Sequence, residues 1–189
     1  RRQRQMCIRD SFVGDHNVDT QIRDLDNFIL FNHKRNRNHN PKIMCDGTTG
    51  LLSMLVNFLC SSVKTQFDHA FVVTGDMTQD QLFNLRSIID ANDDPSDFMY
   101  MDWHKTFVDI KQDASNNWTE WSHGQGLFKR TDLTGTGCTM FRMSRRLLKC
   151  VNMFVHMYKR VPPVELMLPS VCRAFGLKMK QIVLPDLSD

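Results

Sequence analysis

The chain has 189 residues, 41% of them apolar, the length and composition of one globular domain able to bury a substantial core. No apolar run approaches the roughly 18 residues of a membrane-spanning helix. Without the four arginines and one aspartate of residues 1–10, the 24 basic and 21 acidic side chains become 20 and 20, so the overall field lends no support to nucleic-acid binding.

In chain order, residues 1–10 come first. They translate a transposon-type sequencing adapter in frame, so the protein is expected to read as a single domain over residues 11–189. On that reading its own start, with any signal or anchor, lies upstream. A natural basic arm is the alternative. Residues 24–31, with Leu25, Phe28, Ile29, Leu30 and Phe31, suit a buried strand, and the polar run 33–40 suits a loop. Lys34, Arg35 and Arg37 in that loop are either phosphate contacts or a solvated connector. Residues 42–45 form a short strand candidate. Thr48 or Thr49 can cap a helix in which Leu51, Leu52, Leu55, Phe58 and Leu59 recur at helical spacing through Val63.

Residues 69–73 read as a continuously apolar strand, broken by Gly75 and Asp76. The spacing then predicts a helix over 78–90 with Leu82, Leu85, Ile88 and Ile89 on one face. A turn at 93–96 precedes a strand over 97–103. Periodicity fails from His104 to Gly137, and a stretch of that length without a pattern is usually functional or flexible. It resumes with a strand over 138–142 and a helix over 144–158 carrying Leu147, Leu148, Val151, Phe154 and Val155 inward. Pro162 and Pro163 start a helix that runs through Phe175 and stops at Gly176, and residues 177–184 close as a strand. Alternating strands and helices predict one mainly parallel sheet with helices on both faces.

Outside the first ten residues the cysteines are Cys45, Cys60, Cys138, Cys150 and Cys172. None forms a CxxC pair, so neither a zinc ribbon nor a thioredoxin-like site is indicated, and buried packing thiols are expected. There is no P-loop, no GxGxxG after a strand, no HExxH and no GxSxG. Three constellations remain. The apolar strand ending in Thr74, Gly75 and Asp76 sets a carboxylate where open α/β sheets bind ligands; capping the next helix is the plainer role. The loop holding Trp118, Trp121 and His123 offers two indoles for stacking on a sugar or base, or else a hydrophobic cluster beneath a long loop. Asn117, Trp118 and Thr119 also form a glycosylation sequon.

The third constellation is the run from Gly137 to Leu148, with Arg142, Ser144, Arg145 and Arg146, followed by a helix in which Glu165 precedes Pro169 by four. In this layout the chain resembles GT-A-type glycosyltransferases over residues 42–184. The resemblance implies a Rossmann-like sheet that binds a nucleotide sugar, with Asp76, Arg142, Trp118, Trp121 and His123 on the donor side. It also implies transfer to a hydroxyl acceptor on a glycan, lipid or protein. By the resemblance Glu165 matches the late carboxylate that such enzymes use as base, taking the acceptor's proton, or as acceptor anchor, although a glutamate at a helix start also complements the macrodipole. Such enzymes hold manganese or magnesium against the diphosphate with two or three carboxylates. Here Asp76 stands alone, and the Asp93, Asp94 and Asp97 group is explained equally well by turn formation. A Golgi lumen and a bacterial cytoplasm both suit the family. The rival functions are an inactive glycosyltransferase-like binding domain, and a nucleic-acid-binding domain using residues 33–40 and 142–149.

Overall fold

The computed structural model describes residues 44–45, 68–73, 84–101, 104–106 and 124–185. The expected strand at 24–31, the loop at 33–40 and the helix through Val63 lie outside them. The strands are β1 (Met44–Cys45), β2 (His69–Val73), β3 (Phe98–Tyr100), β4 (His104–Thr106), β5 (Thr134–Thr136), β6 (Met140–Ser144), β7 (Arg160–Val161) and β8 (Met179–Gln181). The helices are α1 (Leu85–Ala91), α2 (Arg145–Tyr158) and α3 (Val164–Ala174).

The main sheet has the order β2-β6-β3-β8. Alternation along each strand splits its side chains between two apolar layers. Ala70, Val72, Phe98, Phe141 and Met143 face α2 and α3, while Phe71, Met99 and Met140 face α1 through Leu85, Ile88 and Ile89. Helices on both faces are therefore present, as the alternating pattern predicts.

The mainly parallel sheet is found instead as a mixed one. β6 pairs antiparallel with both β2 and β3, and only β3 and β8 pair parallel. A parallel neighbour requires the chain to cross back to the start of the sheet. Here it leaves β3 at its carboxyl end and re-enters at that same end, where the Met101 amide donates to the Met140 carbonyl at 3.1 Å. β6 must then run downward between β2 and β3. The consequence is that β2, β3 and β8 share one direction, and β6 alone opposes them.

Within the stretch that shows no period lies an unpredicted antiparallel pair, β4 with β5, joining Thr106 to Thr134 and His104 to Thr136. β1 and β7 form a separate two-stranded parallel pair, with Met44 opposite Arg160.

The helix starting after β6 is the most faithful match to its sequence. Ser144 is extended (φ −76°, ψ 156°) and its hydroxyl accepts from the Leu147 amide at 3.0 Å, an N-cap that ends the strand and begins α2 in one residue. The inward residues Leu147, Leu148, Val151, Phe154 and Val155 are all buried. Each such side chain contributes roughly 1.5–3 kcal/mol of burial. α3 starts after Pro163, and Gly176 takes a positive φ of 62° just beyond its end, where only glycine avoids strain.

Gly124 shows how tightly α3 is seated. A Cβ there would lie 2.5 Å from Leu133 Cδ1 and 2.8 Å from Leu166 Cδ2. Gly124→Ala is therefore expected to lower stability by about 1–3 kcal/mol in chemical denaturation, by overpacking two buried leucines. An unchanged denaturation midpoint would show that the α3 contact yields freely.

Candidate functional site

One end of the main sheet gathers the carboxyl ends of β2, β3 and β8, at Val73, Tyr100 and Gln181, around the amino end of β6. Ligands of open α/β sheets bind beyond such ends. Asp76 follows Val73 by three positions, and Asp76, Trp118, Trp121 and His123 all lie outside the described residues.

α3 runs over the sheet away from this end. Its last turn sits at the opposite end, where the Leu177 amide donates to Cys172 O (2.8 Å) and the Asp97 amide to Lys178 O (2.9 Å). An 11-residue helix covers about 16 Å, the span of a five-residue strand, so its first turn, with half-buried Glu165, lies toward the carboxyl ends of β2 and β3. Leu166 anchors that turn against Gly124 and Leu133. Pro169, four residues on, has no N–H to give the Glu165 carbonyl, so the first turn lacks one helical hydrogen bond just where the carboxylate stands.

Arg142 has a different task from the one expected of it. Strand alternation puts it on the α1 face, opposite Phe71 and Met99, and it is 2% exposed. Nη1 donates to Asn92 O at 2.6 Å, while Nη2 donates to Asp94 O and, at 3.1 Å, to Ser96 O. The Phe71 ring lies 5.9 Å from its Cζ, and Nε is buried without a partner. Burial lowers its pKa below the ordinary arginine value, with Asp94 and Asp93 acting the other way. A planar fork suits three carbonyls arrayed along one connection. Arg142 thus clamps the link between α1 and β3, and its charge is out of reach of a diphosphate.

The aspartates of that link are likewise committed. Asp94 accepts from the Ser96 amide at 2.8 Å, from its hydroxyl at 2.5 Å and from Lys180 Nζ at 2.7 Å; these bonds hold its carboxyl below the usual range, the Lys180 contact most strongly. Asp97 accepts from Ser144 Oγ at 2.9 Å and from the Lys178 amide at 3.1 Å, at the amino end of β3. Turn formation, one of the two readings of this group, describes Asp94, while Asp97 joins β3 to Ser144 and Lys178. Among the described residues no group of three His, Cys, Asp or Glu could hold a metal ion. Cys138 and Cys172 are buried and Cys150 half-buried, all as free thiols, and burial pushes the Cys172 thiol far above its ordinary value.

One polar cluster at the carboxyl end of β3 was missed by sequence reasoning. Fully buried Thr134 donates its hydroxyl proton to Lys105 O at 2.8 Å, so at 3.0 Å it must accept from His104 Nε2, which fixes the proton on that nitrogen. Ser170 of α3 receives the Thr134 amide at 3.1 Å and donates to the Thr134 carbonyl at 3.0 Å. The exposed imidazole leans on Tyr100, ring centroids 5.5 Å apart, and burial raises the Tyr100 phenol above its ordinary pKa. A histidine one residue past a strand-like run was the only available signal. The cluster ties β4, β5 and α3 together and holds an imidazole at the rim where the co-directional strands finish. No family model matches this chain, and no curated protein or solved structure does either, so the site is read from its own chemistry.

Proposed function

We propose that the domain transfers a sugar from a nucleotide-sugar donor to a hydroxyl acceptor. What supports the reading is that three co-directional strands finish at one end of the sheet, and that α3, running away from that end, begins with the turn bearing Glu165. The donor would lie along those strand ends on an α/β/α layer arrangement of the GT-A kind. Glu165 would accept the proton of the acceptor hydroxyl as its oxygen bonds to the anomeric carbon and the bond to the nucleoside diphosphate breaks. The diphosphate then leaves with the electron pair of the broken bond. The neutral His104 imidazole, which gives its Nε2 proton to Thr134, has an acceptor and not a donor at Nδ1.

A divalent cation against the diphosphate would draw on Asp76 and on further oxygen ligands. Asp94 and Asp97 do not fit that task, since their oxygens are held at the amino end of β3 and in the preceding turn. No step is therefore routed through a cation.

Calorimetry with a panel of nucleotide sugars, run beside transfer and donor-hydrolysis assays, tests the proposal. At least one donor is expected to bind and turn over. Binding without turnover would assign the chain to the inactive, glycosyltransferase-like binding domains, and absence of binding across the panel would end the reading.

A further inference from the structure

α2 divides into two faces. One is the buried apolar arc already described. On the other, exposed Arg146, Lys149, Met153, His156 and Met157 fall within about 100° of arc at 3.6 residues per turn, and exposed Lys159 follows the last turn. The helix carries no aspartate or glutamate in its 14 residues. Met153 is 51% exposed and Met157 61%, whereas Tyr158 lies about 100° around the helix from Met157, over the inward arc, with its ring tilted against Phe154. A solvent face ordinarily mixes both charge signs; this one joins cations to unbranched thioethers.

We infer that the outward face of α2, from Arg146 to Lys159, docks the protein on an anionic lipid surface. The face of a single surface helix is convex. A protein partner would need a matching groove and some 800 Å² of complementary surface on each side, whereas a bilayer interface accepts a convex amphipathic helix without shape complementarity. The cations meet the negative headgroups, and the two methionines enter the boundary with the acyl chains. Because α2 is about 21 Å long and starts from Ser144 at the amino end of β3, its methionine-bearing turns lie toward the end of the sheet where β2, β3 and β8 finish. Docking would hold that end next to the lipid. The inference does not depend on sugar transfer.

Co-sedimentation of the full chain with vesicles tests it, using phosphatidylcholine alone and phosphatidylcholine with phosphatidylserine, at low and physiological salt. Binding is expected to the anionic vesicles and to weaken with salt. Lys149→Gln is expected to lower the partition coefficient roughly fivefold, the share of one cation near such a surface. The double change Met153→Ser with Met157→Ser is expected to lower it roughly tenfold, while the thermal midpoint stays in place because both side chains are exposed. Should the double variant unfold, the lysine variant still decides the matter. Equal sedimentation with both vesicle types, no sedimentation with either, or a lysine variant that binds like the parent would each overturn the inference. Capture of an acidic protein without vesicle binding would do so as well.

Discussion

Glu165→Gln is expected to leave donor binding nearly unchanged and to lower sugar transfer by roughly 10² to 10⁴, the range of general-base catalysis. Glutamine preserves the size of the side chain and its hydrogen-bonding reach but removes the basicity, so the loss should fall on kcat rather than on donor affinity. The rival role, a carboxylate balancing the positive end of α3, predicts another outcome: about 0.3 to 1 kcal/mol of stability lost, and turnover intact. The two are separated by measuring turnover and denaturation on the same purified variant. Near-normal transfer would remove Glu165 from the chemistry.

The second large effect is structural. Arg142→Met keeps much of the aliphatic volume between Phe71 and Met99 but takes the donors away from the carbonyls of Asn92, Asp94 and Ser96. Each carbonyl left without a partner costs about 1–3 kcal/mol, and relief from burying a charge offsets part of that. A net loss of about 3 kcal/mol is expected from the urea midpoint. Arg142→Lys should recover little, because a single ammonium cannot span acceptors spread over five residues of chain. A loss below about 1 kcal/mol would contradict the clamp. If the variant instead stays stable and loses donor affinity, the diphosphate role expected from the sequence would be restored.

The sequence was most legible where local chemistry decides structure. α2 could be read from its five inward residues and from Ser144, since a cap and a 3.6-residue period are written within a few positions. Gly176 marked the end of α3 for the same reason. β4 and β5 were not legible: His104-Lys105-Thr106 and Thr134-Gly135-Thr136 carry no large alternating apolar residues, and their pairing spans the intervening chain. The direction of β6 could not be read either, because it depends on the end of the sheet to which the chain returns after β5. Arg142 misled through its company. Next to Ser144, Arg145 and Arg146 it looked like part of a basic cluster, yet in a strand covered on both faces every second position is interior whatever residue occupies it. Of the candidate site, Glu165 and Arg142 could be located, while Asp76, Trp118, Trp121 and His123 fall outside the described residues.

The reversed strand between β2 and β3 also sets an order of events during folding. Neither β2 nor β3 can complete its place in the sheet until β6 arrives, and in that pairing Phe71 meets Arg142 across 71 positions of sequence. Loop closure on that scale is slow relative to helix formation. On a ribosome the apolar strands of the first half would wait, their edges unpaired, until residues 140–144 had emerged, and a chain cut short before Met140 would keep those edges open to other chains. β6 lies between β2 and β3 yet is synthesised after both, so its arrival is the step that commits the two to a common sheet.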